Sequence, residues 1–185
     1  MVYEVERRAK VSEQEFMRCR RFLEKHGGFL GKMHMKSFLF REPHYLRIRM
    51  IKGEPNIIVT HKSGNYSSLA RKETEKEFAK SELPHFLKQI NKEGFVKCAV
   101  ITTERHSYKL NGLKVELNII EYFGRIVEVE ALTEDEKKVS LLTKKILKTL
   151  KSLRLAELSH HEYQKMINEL YDRSIQKVSE SDFRF

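Results

Sequence analysis

Apolar and polar positions alternate with period two over VYEVERRAKV, residues 2–11, which predicts a strand. Glu4, Glu6, Arg8 and Lys10 share one face, and Tyr3, Val5, Arg7, Ala9 and Val11 the other. Ser12 with Glu15 three residues on is a capping box, and it opens a helix that Gly27 and Gly28 close. Strands follow at about 29–40, 45–51 and 56–62, separated by REPH and KGEPN, whose Pro, Gly and Asn are turn residues. Beyond the polar loop SGNYSSLA come a strand at about 70–79 and a helix from about Ser81 to Gly94, with Pro84 in its first turn. A long strand, 95–110, turns at Asn111 and Gly112 into another at 113–121, and Gly124 leads into a strand at 125–132. Thr133 with Glu136 and Ser159 with Glu162 are two more capping boxes, opening helices near 134–153 and 160–173; residues 174–185 are expected to fray. The order predicts one α+β domain over 1–185, an eight-stranded antiparallel β-barrel over about 1–132 with flanking helices.

In strand after strand one face is aliphatic and the other ionic. Arg47 and Arg49 oppose Leu46, Ile48 and Met50; Thr60 and Lys62 oppose Val59 and His61. Arg71, Glu73, Glu75 and Glu77 fall together, as do Glu116 with Asn118 and Glu128 with Glu130. A water-facing side of a sheet alternates in the same way. Solvated faces mix Thr, Ser, Lys and Gln, however, whereas here acids recur two apart as Glu4/Glu6, Glu73/Glu75 and Glu128/Glu130, alongside Arg47/Arg49. Such neighbours are about 7 Å apart and repel by roughly 2 kcal/mol at an effective dielectric near 20. Turned inward, these carboxylates suit a hard divalent cation, Mg²⁺ or Mn²⁺, while the arginines and lysine suit phosphate oxygens.

Charge agrees with an anionic ligand: 36 Lys and Arg against 26 Asp and Glu leave a net charge of +10. Cys19 and Cys98 have apolar neighbours and no metal-ligand spacing, which reads as two buried thiols in a reducing compartment. No run approaches the ~18 apolar residues of a membrane span, so the expected location is the cytosol, with no membrane partner. Sequence-specific nucleic-acid binding is not expected, because the basic residues sit opposite acids within strands instead of gathering with aromatics. The lysines of 137–151 and the pair His160 and His161 read as solvated helix surface, and Met33 with Met35 as core. The oligomeric state is not encoded in any of these patterns.

Taken in order, EVERR, LRIR, THKSG, RKETE, the strand with Arg105, LNIIEYFGRIVEVE and SHHEYQKMINEL resemble the motifs of the CYTH domains, or triphosphate tunnel metalloenzymes. That family includes class IV adenylyl cyclases and thiamine triphosphatases. The resemblance implies an eight-stranded tunnel that binds a triphosphate with one or two divalent cations. By match, Glu4, Glu6, Glu128 and Glu130 are metal-side carboxylates, with Asn118 at the same site, and Arg47, Arg49, Lys62, Arg71 and Arg105 contact phosphates. Glu73 and Glu75 fall at the family's acidic strand and position water; Arg8 stands where the family's ExExK motif has lysine. Asn118 replaces the aspartate of its LD motif, and Thr103 replaces a lysine of its K-x-R strand, with Lys97 or Lys10 as candidates to compensate.

The expected activity is therefore metal-dependent hydrolysis of a triphosphate: inorganic triphosphate, thiamine triphosphate or a nucleoside triphosphate. Two alternatives share the cage: a class IV adenylyl cyclase making cyclic AMP from ATP, and a non-catalytic binder of triphosphate, polyphosphate or nucleotide.

Overall fold

The computed structural model describes residues 2–63, 71–177 and 183, and for residues 62, 63 and 71–73 it describes the backbone alone. The predicted loop SGNYSSLA therefore falls, but for Ser63, outside the described residues. Strand β1 (Tyr3–Val11) leads into α1 (Glu13–His26), whose predicted capping box is formed: the Glu15 amide donates to Ser12 Oγ and the Ser12 amide to the Glu15 carboxylate. The helix stops at Gly27, where a Cβ would lie 2.9 Å from the Leu23 carbonyl oxygen. An antiparallel meander follows, of β2 (Gly28–Phe40), β3 (Leu46–Ile51), β4 (Asn56–Ser63) and β5 (Arg71–Ala79).

The helix expected from Ser81 starts later than its pattern suggested: Lys80–Glu82 form a 3₁₀ turn, and α2 (Leu83–Lys92) carries Pro84 in its first turn. β6 (Lys97–Leu110) and β7 (Leu113–Ile120) are joined at Asn111 and Gly112, whose φ values of 51° and 75° make the primed turn that suits strand twist. β8 (Gly124–Thr133) completes the barrel strands. The Thr133–Glu136 capping box does not form. Thr133 Oγ1 instead accepts from the Asp135 amide, and the Asp135 carboxylate caps a 3₁₀ turn, Glu136–Lys138, ahead of α3 (Val139–Ser152). The second box, Ser159 with Glu162, does form and opens α4 (His160–Ser174).

The chain end also departs from expectation, because residues given up to fraying have partners. A ninth strand, β9 (Ile175–Lys177), pairs with Lys97–Ala99 of β6, and the buried Phe183 ring stacks 3.8 Å from Phe38. The strand order is β2-β3-β4-β5-β1-β8-β7-β6, and β6 pairs in turn with β2, so eight strands return on themselves as a barrel with β9 appended.

Helices decide which face of each strand points inward. α1 and α3 press Phe16, Leu23, Ile146 and Leu150 onto Val5, Ala9, Val127 and Val129, while α2 presses Leu83, Leu87 and Ile90 onto Ile48, Met50 and Ile57. Each such side chain contributes about 1.5–3 kcal/mol when buried, so the aliphatic faces go outward under the helices and the ionic faces line the interior. α4 differs: its Leu170 packs on Ile101, Phe123 and Ile126, residues of the inner face, and so closes one end of the barrel. Among the described residues no helix is long and apolar enough to cross a membrane.

Candidate metal and phosphate site

The barrel encloses a cavity of about 510 Å³. Register across β1, β8 and β7 builds its acidic wall: Glu6 lies opposite Glu130, which lies opposite Lys114, and Arg8 lies opposite Glu128, which lies opposite Glu116. Two acids directly across a pair of strands repel. One turn of the pleat away, Glu4 joins them, and the carboxylate oxygens of Glu4, Glu6 and Glu130 lie within 4.8 Å of one another. Burial, reinforced by the charge of Glu116, pushes the Glu130 carboxyl up to about 7. A compact, oxygen-only donor set with an excess of negative charge fits a hard divalent cation, and it offers no imidazole or thiolate that would favour a softer one.

Glu128 and Asn118, also expected on the metal side, belong to an adjoining network. Arg8 Nε donates to Glu128 Oε1 at 2.6 Å, and its Nη2 pairs with Glu6. Asn118 Nδ2 donates to Glu128 Oε2 at 2.9 Å, while Asn118 Oδ1 accepts from Arg105 Nε at 2.8 Å. Arg105 Nη1 reaches Glu116 Oε2 at 2.7 Å. Burial would depress the Arg8 guanidinium's pKa, but the charges of Glu6, Tyr163 and Glu128 outweigh it and hold that pKa well above the ordinary value.

The facing wall comes from β3 to β5, where register sets Arg47 opposite Thr60 and Thr60 opposite Glu75. Thr60 Oγ1 donates to Glu75 Oε1 at 2.9 Å, and the guanidinium groups of Arg47 and Arg49 come within 3.7 and 3.8 Å of that oxygen. Glu75 thus sits among cations and away from the acidic triad. The backbone pairs Lys62 with Glu73 and Glu4 with Arg71, but the side chains of Lys62, Arg71 and Glu73 lie outside what the structure describes.

Three residues of the site were given no role by the sequence reading, although it had set the first of them, Glu116, on an ionic face. Glu116, fully buried, anchors Arg105 and also Lys114, whose Nζ lies 2.5 Å from Glu116 Oε1 and 2.9 Å from Glu130 Oε1. Lys114 shares the inward parity of Glu116 and Asn118, which was the available signal. It lines the cavity, whereas Lys10 and Lys97, the candidates to compensate for Thr103, are exposed and do not. The third is Tyr163 of α4, whose ring lies under the Arg8 guanidinium at 4.3 Å from its centroid. The chain is tied to β1 just ahead of it, by Leu158 N–H to the Arg8 carbonyl at 2.7 Å and by Arg7 with Glu157 at 3.0 Å. Met35, expected as ordinary core, is a cavity-lining residue, and Met33 is half-exposed outside it.

Solved structures share this fold. A protein from Pyrococcus horikoshii OT3 aligns with 20% identity over 90% of this chain and 99% of its own, with a TM-score of 0.75. A candidate adenylate cyclase from Vibrio parahaemolyticus aligns with 14% identity over 90% of this chain and 98% of its own, TM-score 0.66. A candidate adenylyl cyclase from Hippeastrum, described as having a dominant triphosphatase activity, aligns with 19% identity over 85% of this chain and 90% of its own, TM-score 0.56. Among curated proteins none matches the sequence. The CYTH domain model matches residues 2–163, from the first strand to the tyrosine beneath Arg8. With the barrel, the inward charges and that match agreeing, the chain belongs to the CYTH domain family.

Proposed function

We propose that the protein, acting as one domain in the cytosol, hydrolyses a triphosphate with the aid of Mg²⁺ or Mn²⁺. The observation that carries this reading is one cavity with a carboxylate triad, Glu4, Glu6 and Glu130, on one wall and the arginine pair Arg47 and Arg49 on the other. The triad would hold the cation, which when bound supplies positive charge to phosphate oxygens and acidifies water. Glu128 and Asn118 hold the cations beside the triad in place. Arg47, Arg49 and Arg105, with Lys62 and Arg71 by family match, clamp the phosphates, since a planar guanidinium meets two phosphate oxygens at once. Arg8 faces the group being transferred, and Glu75, with Glu73 by match, positions the attacking water. Most of the acceleration is electrostatic, from donors already in place where charge develops.

The test is phosphate release from inorganic triphosphate, thiamine triphosphate and ATP with Mg²⁺ or Mn²⁺, with cyclic AMP followed in the ATP reactions. Release that a chelator abolishes is the expected outcome. Cyclic AMP without phosphate release would replace hydrolysis by cyclisation. No turnover, with triphosphate still raising Tm, would make the protein a binder, a reading favoured by the ion pairs that already engage Arg8 and Arg105.

A further inference from the structure

Far from the cavity, the corner where α1 turns into β2 displays what a protein ordinarily hides. The chain there reads Gly27-Gly28-Phe29-Leu30-Gly31, and Phe29 is 60% and Leu30 56% exposed. The cause is a β-bulge. Phe29 lies opposite Tyr108 of β6 and Gly31 opposite Ser107, so Leu30 is the extra residue, without a partner on β6. Gly31 permits this with φ of 150°, a value that residues with a side chain rarely adopt. The Phe29 ring meets the edge of Tyr108, 5.4 Å between centroids, which fixes its direction, and Phe22 of α1, against His26 at 4.6 Å, is a further exposed aromatic ring. Strand ends guarded against stray pairing carry lysine or proline, whereas this one carries phenylalanine and leucine between glycines. Single exposed apolar residues are commonplace, but adjacent ones held out by a bulge mark a surface that something covers.

We propose that this corner docks on an anionic lipid surface, with Phe29 and Leu30 entering the headgroup layer and the cations around them lying against its negative charge. The charges on the same stretch single out that partner. From Met17 to Lys32 the cations are Arg18, Arg20, Arg21, Lys25 and Lys32, and the one acid, Glu24, is taken by Arg20 at 2.8 Å. Arg21 and Lys25, four residues apart on one face of α1, are exposed, as is Lys109, which lies opposite Gly28 on β6; none of the three pairs with an acid among the described residues. A nucleic-acid backbone would satisfy these cations but leave Leu30 in water. A second copy would bring two sets of like charges together. An anionic bilayer satisfies both, because apolar side chains gain by entering its interface and each nearby lysine or arginine gains from its surface potential. The expectation of no membrane partner rested on the lack of a spanning segment, and a surface wedge needs none. The proposal stands apart from the triphosphate reading and does not depend on it.

The experiment is flotation of the full chain with vesicles of phosphatidylcholine alone and of phosphatidylcholine mixed with phosphatidylserine, at low and physiological salt. The wild type is compared with Leu30→Ser, with Lys25→Gln combined with Lys109→Gln, and with Leu141→Ser, which removes an equally exposed leucine from α3. All the replaced side chains are exposed, so the variants are expected to fold, and their Tm values check it. The expected result is binding to the phosphatidylserine vesicles only, weaker at higher salt, with a loss of about tenfold in Leu30→Ser and of about fivefold for each lysine removed, and none in Leu141→Ser. No binding of the wild type to the phosphatidylserine vesicles would overturn the proposal. So would wild-type binding by Leu30→Ser, since charge alone would then hold the protein, or an equal loss in Leu141→Ser, since the attachment would then lie elsewhere. A wild-type dimer that Leu30→Ser converts to monomer in sedimentation would give the corner to a second copy and overturn the lipid assignment.

Discussion

At the scale of single residues, alternation places a charge on a face but does not choose its partner. Glu104 makes the point from the outer side of β6, where it bonds His106 Nε2 at 2.8 Å and Lys32 Nζ at 3.0 Å. These partners hold its carboxyl down at about 2, from the ordinary 4.5. Its contribution to stability is in place above pH 4.5 and drains away as pH falls toward 2. Because Glu104 and Lys32 are partly solvated, Glu104→Gln should cost roughly 1 kcal/mol at neutral pH, and the Tm gap to wild type should shrink at pH 3. A gap that is constant with pH would show that the carboxylate's charge is immaterial. Parity did reveal Glu4, Glu6, Arg8, Arg47, Arg49 and Arg105 as inward residues. That Glu6 faces Glu130 was beyond it, since the register between the first and last barrel strands is a property of the closed sheet.

At the scale of elements, signals read over a few residues worked where the interaction is local. The boxes at Ser12 and Ser159 formed, and the Asn111–Gly112 turn has the backbone its residues favour. The box at Thr133 failed because Asp135, two residues on, caps the turn better. α4 was legible as a helix but not as a wall of the cavity, because its place depends on docking that no short stretch encodes. Its cap is open to test: Ser159→Ala should lower stability by about 1 kcal/mol, or Tm by roughly 2–4 °C, read by thermal melting. Unchanged melting would mean that α4 is held by its ends and not by its cap.

At the scale of the molecule, barrel closure brings Glu4, Glu6 and Glu130 together, so a cation held there would tie metal loading to stability. A cation at a hundred times its Kd stabilises a protein by about 2.7 kcal/mol. The wild type should therefore melt several degrees higher with Mn²⁺ than with chelator, and Glu4→Gln should lose most of that rise while its circular dichroism spectrum stays native. A Glu4→Gln protein that responds to Mn²⁺ as the wild type does would remove Glu4 from the cation site. The sequence reading went far for the barrel because the helices leave the ionic faces nowhere to go but inward.

α4 is tied down at both ends, by the Leu158–Arg8 bond before it and by β9 on β6 after it, with Tyr171 Oη to the Lys97 carbonyl at 3.4 Å between. A helix anchored in this way cannot swing aside without breaking those ties, so traffic into the cavity is confined to the rest of its rim, and one molecule has to leave before the next can enter.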